Sequence, residues 1–365
     1  MARNEVLTDR HDTAALPLGT LRRFLALAGR FWTGPAAPRA WAIGLGLLVL
    51  NATEVGLLLR LSSWNRDLFD ALERRDAQLV LVQVGVLLLL VAAFALLSFA
   101  HLHGRRRLAL DWRAWLARHL SDSWLAAGRP HGIPNADGRI AEDARIATEE
   151  AVELASSFSH GCMTLACFVG LLWVLSDHPP VPLGFLTLSL PGYLVWAAVL
   201  YAGLGAAIAA LLGRPLALST HHRQAEEAEY RAALVRLRDG AAEPDPAALL
   251  SRLFGAVGEA FGRQSHAFGS LQLFCVGNTR LGTGLPFLIA TPAYLAGIVT
   301  LGWVMQAAQA FQNVVGALNW PVDHMPRIAT WRASAERVLA LHAASLAAPL
   351  AAAEPAPALL ASPAE

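Results

Sequence analysis

Residues 281–322 carry no Asp, Glu, Lys or Arg, and neither do residues 178–213. Soluble domains are roughly 25% charged, so uncharged runs of this length point to hydrocarbon rather than water. A helix needs about 20 apolar residues to cross a bilayer. Dividing the uncharged stretches on that basis predicts six spans. They are Trp41–Leu61, interrupted by Glu54, then Gln78–Ala100, Leu154–Ser176, Leu186–Leu212, Leu271–Ala290 and Ala296–Leu318. Pro292 marks the break between the last two. The 365-residue chain is 55% hydrophobic and 16% charged. The expected fold is an all-α membrane protein with six transmembrane helices.

All 29 basic residues are Arg. Twenty-four lie in the N-terminal segment, the connections after the second and fourth spans, and the C-terminal segment. Four follow the first span, where Asp67, Asp70, Glu73 and Asp76 offset them. Cytoplasmic loops carry the excess of basic residues, which predicts cytoplasmic termini and outer turns near Arg66, Asp177 and Pro292. The inner connections, about Ala100–Glu153 and Gly213–Ser270, are too long for turns and read as helix. Glu227 and Arg231, for example, stand at the i,i+4 spacing that supports one. Long cytoplasmic helix extensions are therefore expected. Residues 1–38 read as a cytoplasmic segment with an interfacial helix at Leu21–Trp32, residues 39–341 as the six-span domain, and residues 342–365 as a disordered Ala/Pro-rich tail. No cleavable signal peptide is evident. Insertion then rests on the spans, and a multi-pass membrane protein is expected.

Several chemistries are excluded. A net charge of +1 offers nothing to nucleic acid. Cys162, Cys167 and Cys275 sit in apolar runs without framework spacing, so neither a disulfide scaffold nor a metal site is expected, and each reads as a small packed apolar residue. A P-loop requires GxxxxGK[ST], and the chain has no Lys. ATP hydrolysis is thus not expected of this chain, nor any catalytic residue or cofactor of its own. ATP would act only through a separate ATPase subunit.

Three polar sets inside or beside the spans are candidates. Glu142, Glu149, Glu153 and His160 fall within about 40° on a helical wheel and could relay protons, since ionisable groups in a span mark pathways. The alternative is a solvated face paired with Arg139 or Arg145. Glu54 and Arg280 are the intramembrane charges: they pair with each other, face a wet cavity, or mark a span boundary placed wrongly. Gln306, Gln309 and Asn313, with Gly316, share a face of the last span. They line a solute cavity, or they join helices by hydrogen bonds with close approach at Gly316. His101 and His103, beside Arg105, read as a headgroup boundary.

Specific words carry a resemblance: WNRDLFDAL (Trp64–Leu72), NADGRIAED (Asn135–Asp143), SLPGYLVW (Ser189–Trp196), EAEYRAALVRLR (Glu227–Arg238), ATPAYLAGIVTLGWVMQAAQAF (Ala290–Phe311) and IATWRASAERV (Ile328–Val338). In order and spacing they resemble the SbmA/BacA-like and YddA-like transporter family, over roughly Leu21–Leu341. The resemblance implies an ABC exporter-type transmembrane domain, here without the fused ATPase of the YddA-like branch. It also implies a homodimer among the lipids of a bacterial inner membrane that takes up peptides, cobalamin or similar bulky solutes. Two energy sources stay open: a separate ATPase, or the proton gradient used by the SbmA/BacA-like branch through glutamates at the membrane boundary. A non-transporting scaffold or degenerate remnant is the reading from another class.

The topology is testable by labelling. With the three native cysteines replaced, a cysteine at position 66 or 177 is expected to react with an impermeant maleimide outside intact cells. One at position 236 should stay unlabelled, and its labelling would reverse the orientation.

Overall fold

The computed structural model describes residues 18–128, 135–177, 181–183, 186–188, 191–240 and 243–347. The described helices are α1 (Leu18–Thr33), α2 (Ala37–Glu73), α3 (Ala77–Ala126), α4 (Ala136–Gly138), α5 (Ala144–Leu175), α6 (Tyr193–Arg238), α7 (Pro246–Leu295), α8 (Leu301–Asp323) and α9 (Met325–Ala347). A π-helical turn, Arg139–Asp143, joins α4 to α5. Two short strands, β1 (Val181–Leu183) and β2 (Leu186–Leu188), pair antiparallel between α5 and α6. This hairpin corrects the fourth span, which starts at Tyr193 rather than Leu186. A short apolar run does not distinguish strand from helix by periodicity alone.

Among the described residues, α2, α3, α6, α7 and the continuous run from α4 to α5 are long and apolar enough to cross a membrane. Helix α8 is not one of the five. Its 23 residues give roughly 35 Å of length, enough for a core about 30 Å thick. Five amides, at Gln306, Gln309, Gln312, Asn313 and Asn319, lower its hydropathy. Helices α3 and α7 have 50 residues each and α6 has 46. At 1.5 Å per residue these reach roughly 70–75 Å, far beyond what a bilayer needs.

The helix ends follow local chemistry. Helix α2 runs past Arg66 to Glu73, so the turn after the first span is Arg74–Asp76, with Arg75 at φ 56°. Asp76 accepts from the amides of Gln78 and Leu79 at 3.0 and 3.1 Å, capping α3. Asp245 caps α7 by accepting from Ala248 N at 2.9 Å, with Pro246 in the first turn. Pro292 lies inside α7, and the chain breaks at Gly297, φ 70°. The sixth span therefore starts at Leu301, not Ala296. Its first amides are held by α2: Glu73 accepts from Leu301 N and Asp70 from Gly302 N, each at 3.0 Å. Those acids, read from sequence as offsets to outer Arg, are helix caps as well.

The described residues form two compact units. The first holds residues up to Glu54, Ala92–His160 and the chain from Asp323 on. Helix α1 lays Phe24, Leu27, Ala28 and Phe31, an i, i+3, i+4, i+7 stripe, onto Trp112 and Trp331. The stripe expected to face lipid is thus covered by protein, while Arg22, Arg23 and Arg30 stay exposed. Asp143, delivered by the π-turn, accepts two hydrogen bonds from Arg337 of α9 at 2.6 and 2.8 Å. Helix α9 continues through a buried Leu341 and Ser345 to Ala347, into the stretch expected to lack structure. Residues 348–365 lie outside the described residues.

The second unit holds Val55–Val91 and Gly161–Val322. Its core contains Phe168, Leu172, Leu194, Ala198, Ala290, Phe311 and Val314. Helices α6 and α7 approach where Tyr201 Oη donates to Asn278 O and where Gly205 and Gly282 leave room for facing side chains. Leu81, Leu88 and Leu89 of α3 are at least 66% exposed, apolar side chains suited to lipid rather than water. Cys162, Cys167 and Cys275 are exposed too, which overturns their reading as packed core residues.

Glycines give a paired test. A Cβ at Gly302 would collide with Arg66 O and the Asp70 carboxylate, whereas one at Gly316 meets nothing within 4 Å. Gly302→Ala should lower stability by about 1–3 kcal/mol, seen as a reduced melting temperature in detergent. Gly316→Ala should leave it unchanged or raise it. Equal effects would contradict the α2–α8 junction.

Candidate functional site

Three helices of the first unit bring polar side chains to one seam. Helix α2 contributes Asn51 and Glu54, three residues apart. Helix α3 contributes His101 and Arg105, four apart. Helix α5 contributes Glu153, Ser156, Ser159 and His160. Each spacing places its residues on one helical face.

Glu54 Oε2 lies 3.8 Å from Nδ1 of both His101 and His160. That separation is within ion-pair range and beyond a direct hydrogen bond. The other nitrogen of His101, Nε2, is 2.9 Å from Ser156 Oγ. Asn51 is fully buried and donates to Ser156 O at 3.2 Å and to Ser159 Oγ at 2.8 Å. Below these groups, Arg105 and Arg327 converge on Glu153, Arg327 at 3.1 Å. Arg327 also stands 3.4 Å from Glu150. The seam is half-buried, with side-chain exposures of 29% for Glu54, 13% for His101 and 30% for His160. One carboxylate between two imidazoles is a group of sites among which a proton can be shared.

The four-residue stripe does not stay together. Glu153 and His160 join the seam. Glu149 instead accepts from Arg145, one turn away, at 3.0 Å on an exposed face. Glu142 sits exposed in the π-turn, where the extra residue per turn shifts its phase from the α-helical wheel. Glu54 has the two histidines as partners. Arg280 is exposed, with no carboxylate within 4 Å among the described residues. His101 belongs to the seam, while His103 is exposed and contacts Phe99 O at 2.9 Å. The seam was readable only in fragments. Asn51 and Glu54 in one apolar run and His101 with Arg105 in the next carry a spacing signal, but their convergence needs the packing.

The amides of α8, in the second unit, divide. Gln309 Oε1 accepts from Asn65 Nδ2 of α2 at 2.6 Å. Asn313 donates to Gln309 O at 2.9 Å within α8. Gln306 is 5% exposed, and its Oε1 has no hydrogen-bond partner among the described residues. Interhelical bonding thus accounts for Gln309, but close packing at Gly316 is absent, since a Cβ there meets open space.

Comparison with known proteins agrees with this architecture. The chain is 24% identical over 338 residues to the inner membrane ABC transporter ATP-binding protein YddA of Escherichia coli, covering 88% of this chain and 60% of that protein. It is 25% identical over 316 residues to an uncharacterized ABC transporter ATP-binding protein of Synechocystis, covering 82% and 45%. It is 23% identical over 342 residues to ABC transporter D family member 2, chloroplastic, of Arabidopsis thaliana, covering 90% and 46%. The chain therefore spans between 45% and 60% of the length of these relatives. The profile of the SbmA/BacA-like family matches residues 37–342, and this multi-pass membrane protein belongs to that family.

Proposed function

We propose that this chain is the membrane-spanning half of an inner-membrane importer for bulky solutes such as peptides or cobalamin-like molecules, driven by protons and active as a homodimer. The observation that carries the coupling is Glu54 held between His101 and His160 on three helices. A charge in hydrocarbon costs about 2.5–3.5 kcal/mol even on lenient insertion scales. Residues retained there at that cost favour a proton-carrying role over a purely structural one. A second reading rests on the relatives, whose names describe ATP-binding ABC transporters. In it, an ATPase separate from these residues supplies the energy, and the seam only solvates the helices.

Proteoliposomes distinguish the two. With a pH gradient and no nucleotide, the wild-type chain should take up peptide. Glu54→Gln, which keeps shape and most hydrogen bonding but removes titration, should cut that uptake at least tenfold. Glu149→Gln should leave it near wild type, because Glu149 pairs with Arg145 on an exposed face. Uptake that ignores the gradient and appears only with ATP and an added ATPase would support the second reading instead.

The homodimer rests on α7. Phe254, Phe261 and Phe268 recur every seven residues and are 61%, 53% and 54% exposed. A seven-residue apolar repeat keeps these rings on one face of the helix, as one position of a heptad contact does. Gly255, Gly258, Gly262 and Gly269 leave open space beside it. Phe268→Cys, in a chain without native cysteines, should oxidise to a covalent dimer in native membranes. A purely monomeric product, together with monomers in mild detergent that still transport, would refute the dimer.

A further inference from the structure

A cavity of about 700 Å³ opens in the first unit between α1 and α9. Its walls are of two kinds. Leu27, Leu339, Ala343 and Leu346 are apolar, while Arg23 and Arg30 are cationic. The two arginines stand seven residues apart, hence on one face of α1 and about 10.5 Å apart along it. Both are exposed, and neither has a carboxylate within 4 Å among the described residues. Glu336 on the opposite wall accepts from Thr20 at 3.2 Å and pairs with Arg332 at 2.8 Å. Burial, then the positive charges of His119 and Arg30, push the His342 imidazole below its usual pKa. The Arg23 and Arg30 guanidinium groups supply the fixed positive charge of the cavity.

The depth of the cavity is marked by aromatics. Trp41 Nε1 donates to Trp32 O at 3.1 Å, and the two rings meet edge to face at 5.1 Å. Paired tryptophans at the start of an apolar span characterise the headgroup level of a bilayer. Arg30 lies two residues before Trp32, and Arg23 about two turns further from the span. An amphiphilic pocket with two free guanidinium groups at this level fits a ligand with an apolar tail and a phosphate head. Basic pockets on the cytoplasmic face take such lipids, and Arg binds phosphate oxygens through a planar fork.

We propose that the α1–α9 cavity binds an anionic phospholipid, its phosphate on Arg23 and Arg30 and its apolar portion along Leu339 and Leu346. This rests on the membrane location of the chain and not on how transport is powered. The lipid would fix α1 against α9, tying the segment before the first span to the segment after the last.

The test uses the full chain, delipidated in detergent and titrated with phosphatidylglycerol, phosphatidylcholine or inorganic phosphate under native mass spectrometry. Wild type should bind phosphatidylglycerol at least tenfold more tightly than phosphatidylcholine. R23A/R30A should lose that preference, whereas R23K/R30K should keep part of it. Both positions are solvent-exposed, so the melting temperature in phosphatidylcholine should match wild type, and a variant that fails this check is replaced by R23Q/R30Q, which removes the charge but keeps a polar side chain of similar reach. Equal phosphatidylglycerol binding by wild type and R23A/R30A would overturn the site. Inorganic phosphate displacing the lipid at equal concentration would overturn the lipid assignment.

Discussion

Hydrocarbon offers no hydrogen bond to a backbone amide or carbonyl, and each one left unpaired there costs several kcal/mol. That requirement explains why the long apolar runs are helical, and side chains close their exposed ends. The first amides of α8 find carboxylates on α2, α3 starts on Asp76, and α7 starts on Asp245. The short hairpin of β1 and β2 satisfies its own backbone by pairing. Chain reversals fall where a glycine or Arg75 takes a positive φ, not where a proline first appears.

The same constraint decides which polar side chains survive inside. Lone charges are costly, so the acidic and basic groups of the first unit gather: Glu54 with two histidines, Glu153 with two arginines, Asp143 with Arg337. Exposed i,i+4 pairs such as Arg145–Glu149 are of another kind, worth only a few tenths of a kcal/mol in water. The difference between Glu149 and Glu153 is one turn of one helix, and it separates a solvated pair from a half-buried seam.

Class, spans and family words were legible because hydropathy and charge act residue by residue, and the family match over residues 37–342 agrees with them. Helix breaks were less legible. Pro292 reads as a stop, yet a proline inside a long helix is tolerated when neighbouring groups take up the freed carbonyl, and the stop falls at Gly297. Of the candidate site, Glu54, Glu153 and His160 were visible as ionisable groups in or near spans. His101 and Arg105 read instead as a headgroup boundary and Arg327 carried no signal, because a helical wheel reports direction on one helix and says nothing about which neighbour occupies that direction. The π-turn at Arg139–Asp143 broke the wheel outright for Glu142. The exposed cysteines expose the same weakness: an apolar run in a membrane protein has an outer face as well as a core.

Helix α8 joins two properties that rarely coincide. It is too rich in amides to rank with the five apolar spans, yet Gly302, Val304, Gln306, Ala307, Ala310, Phe311 and Val314 are all buried along it. Such a segment gains little from lipid alone and most from protein already in place. During synthesis it would enter the membrane late, as the second arm of a hairpin with α7, and it would lodge only once α2 presents Asp70, Glu73 and Asn65 to receive it. The order of insertion is thereby written into the first and last spans together, and a chain cut short before α8 would leave the acceptors on α2 with nothing to hold.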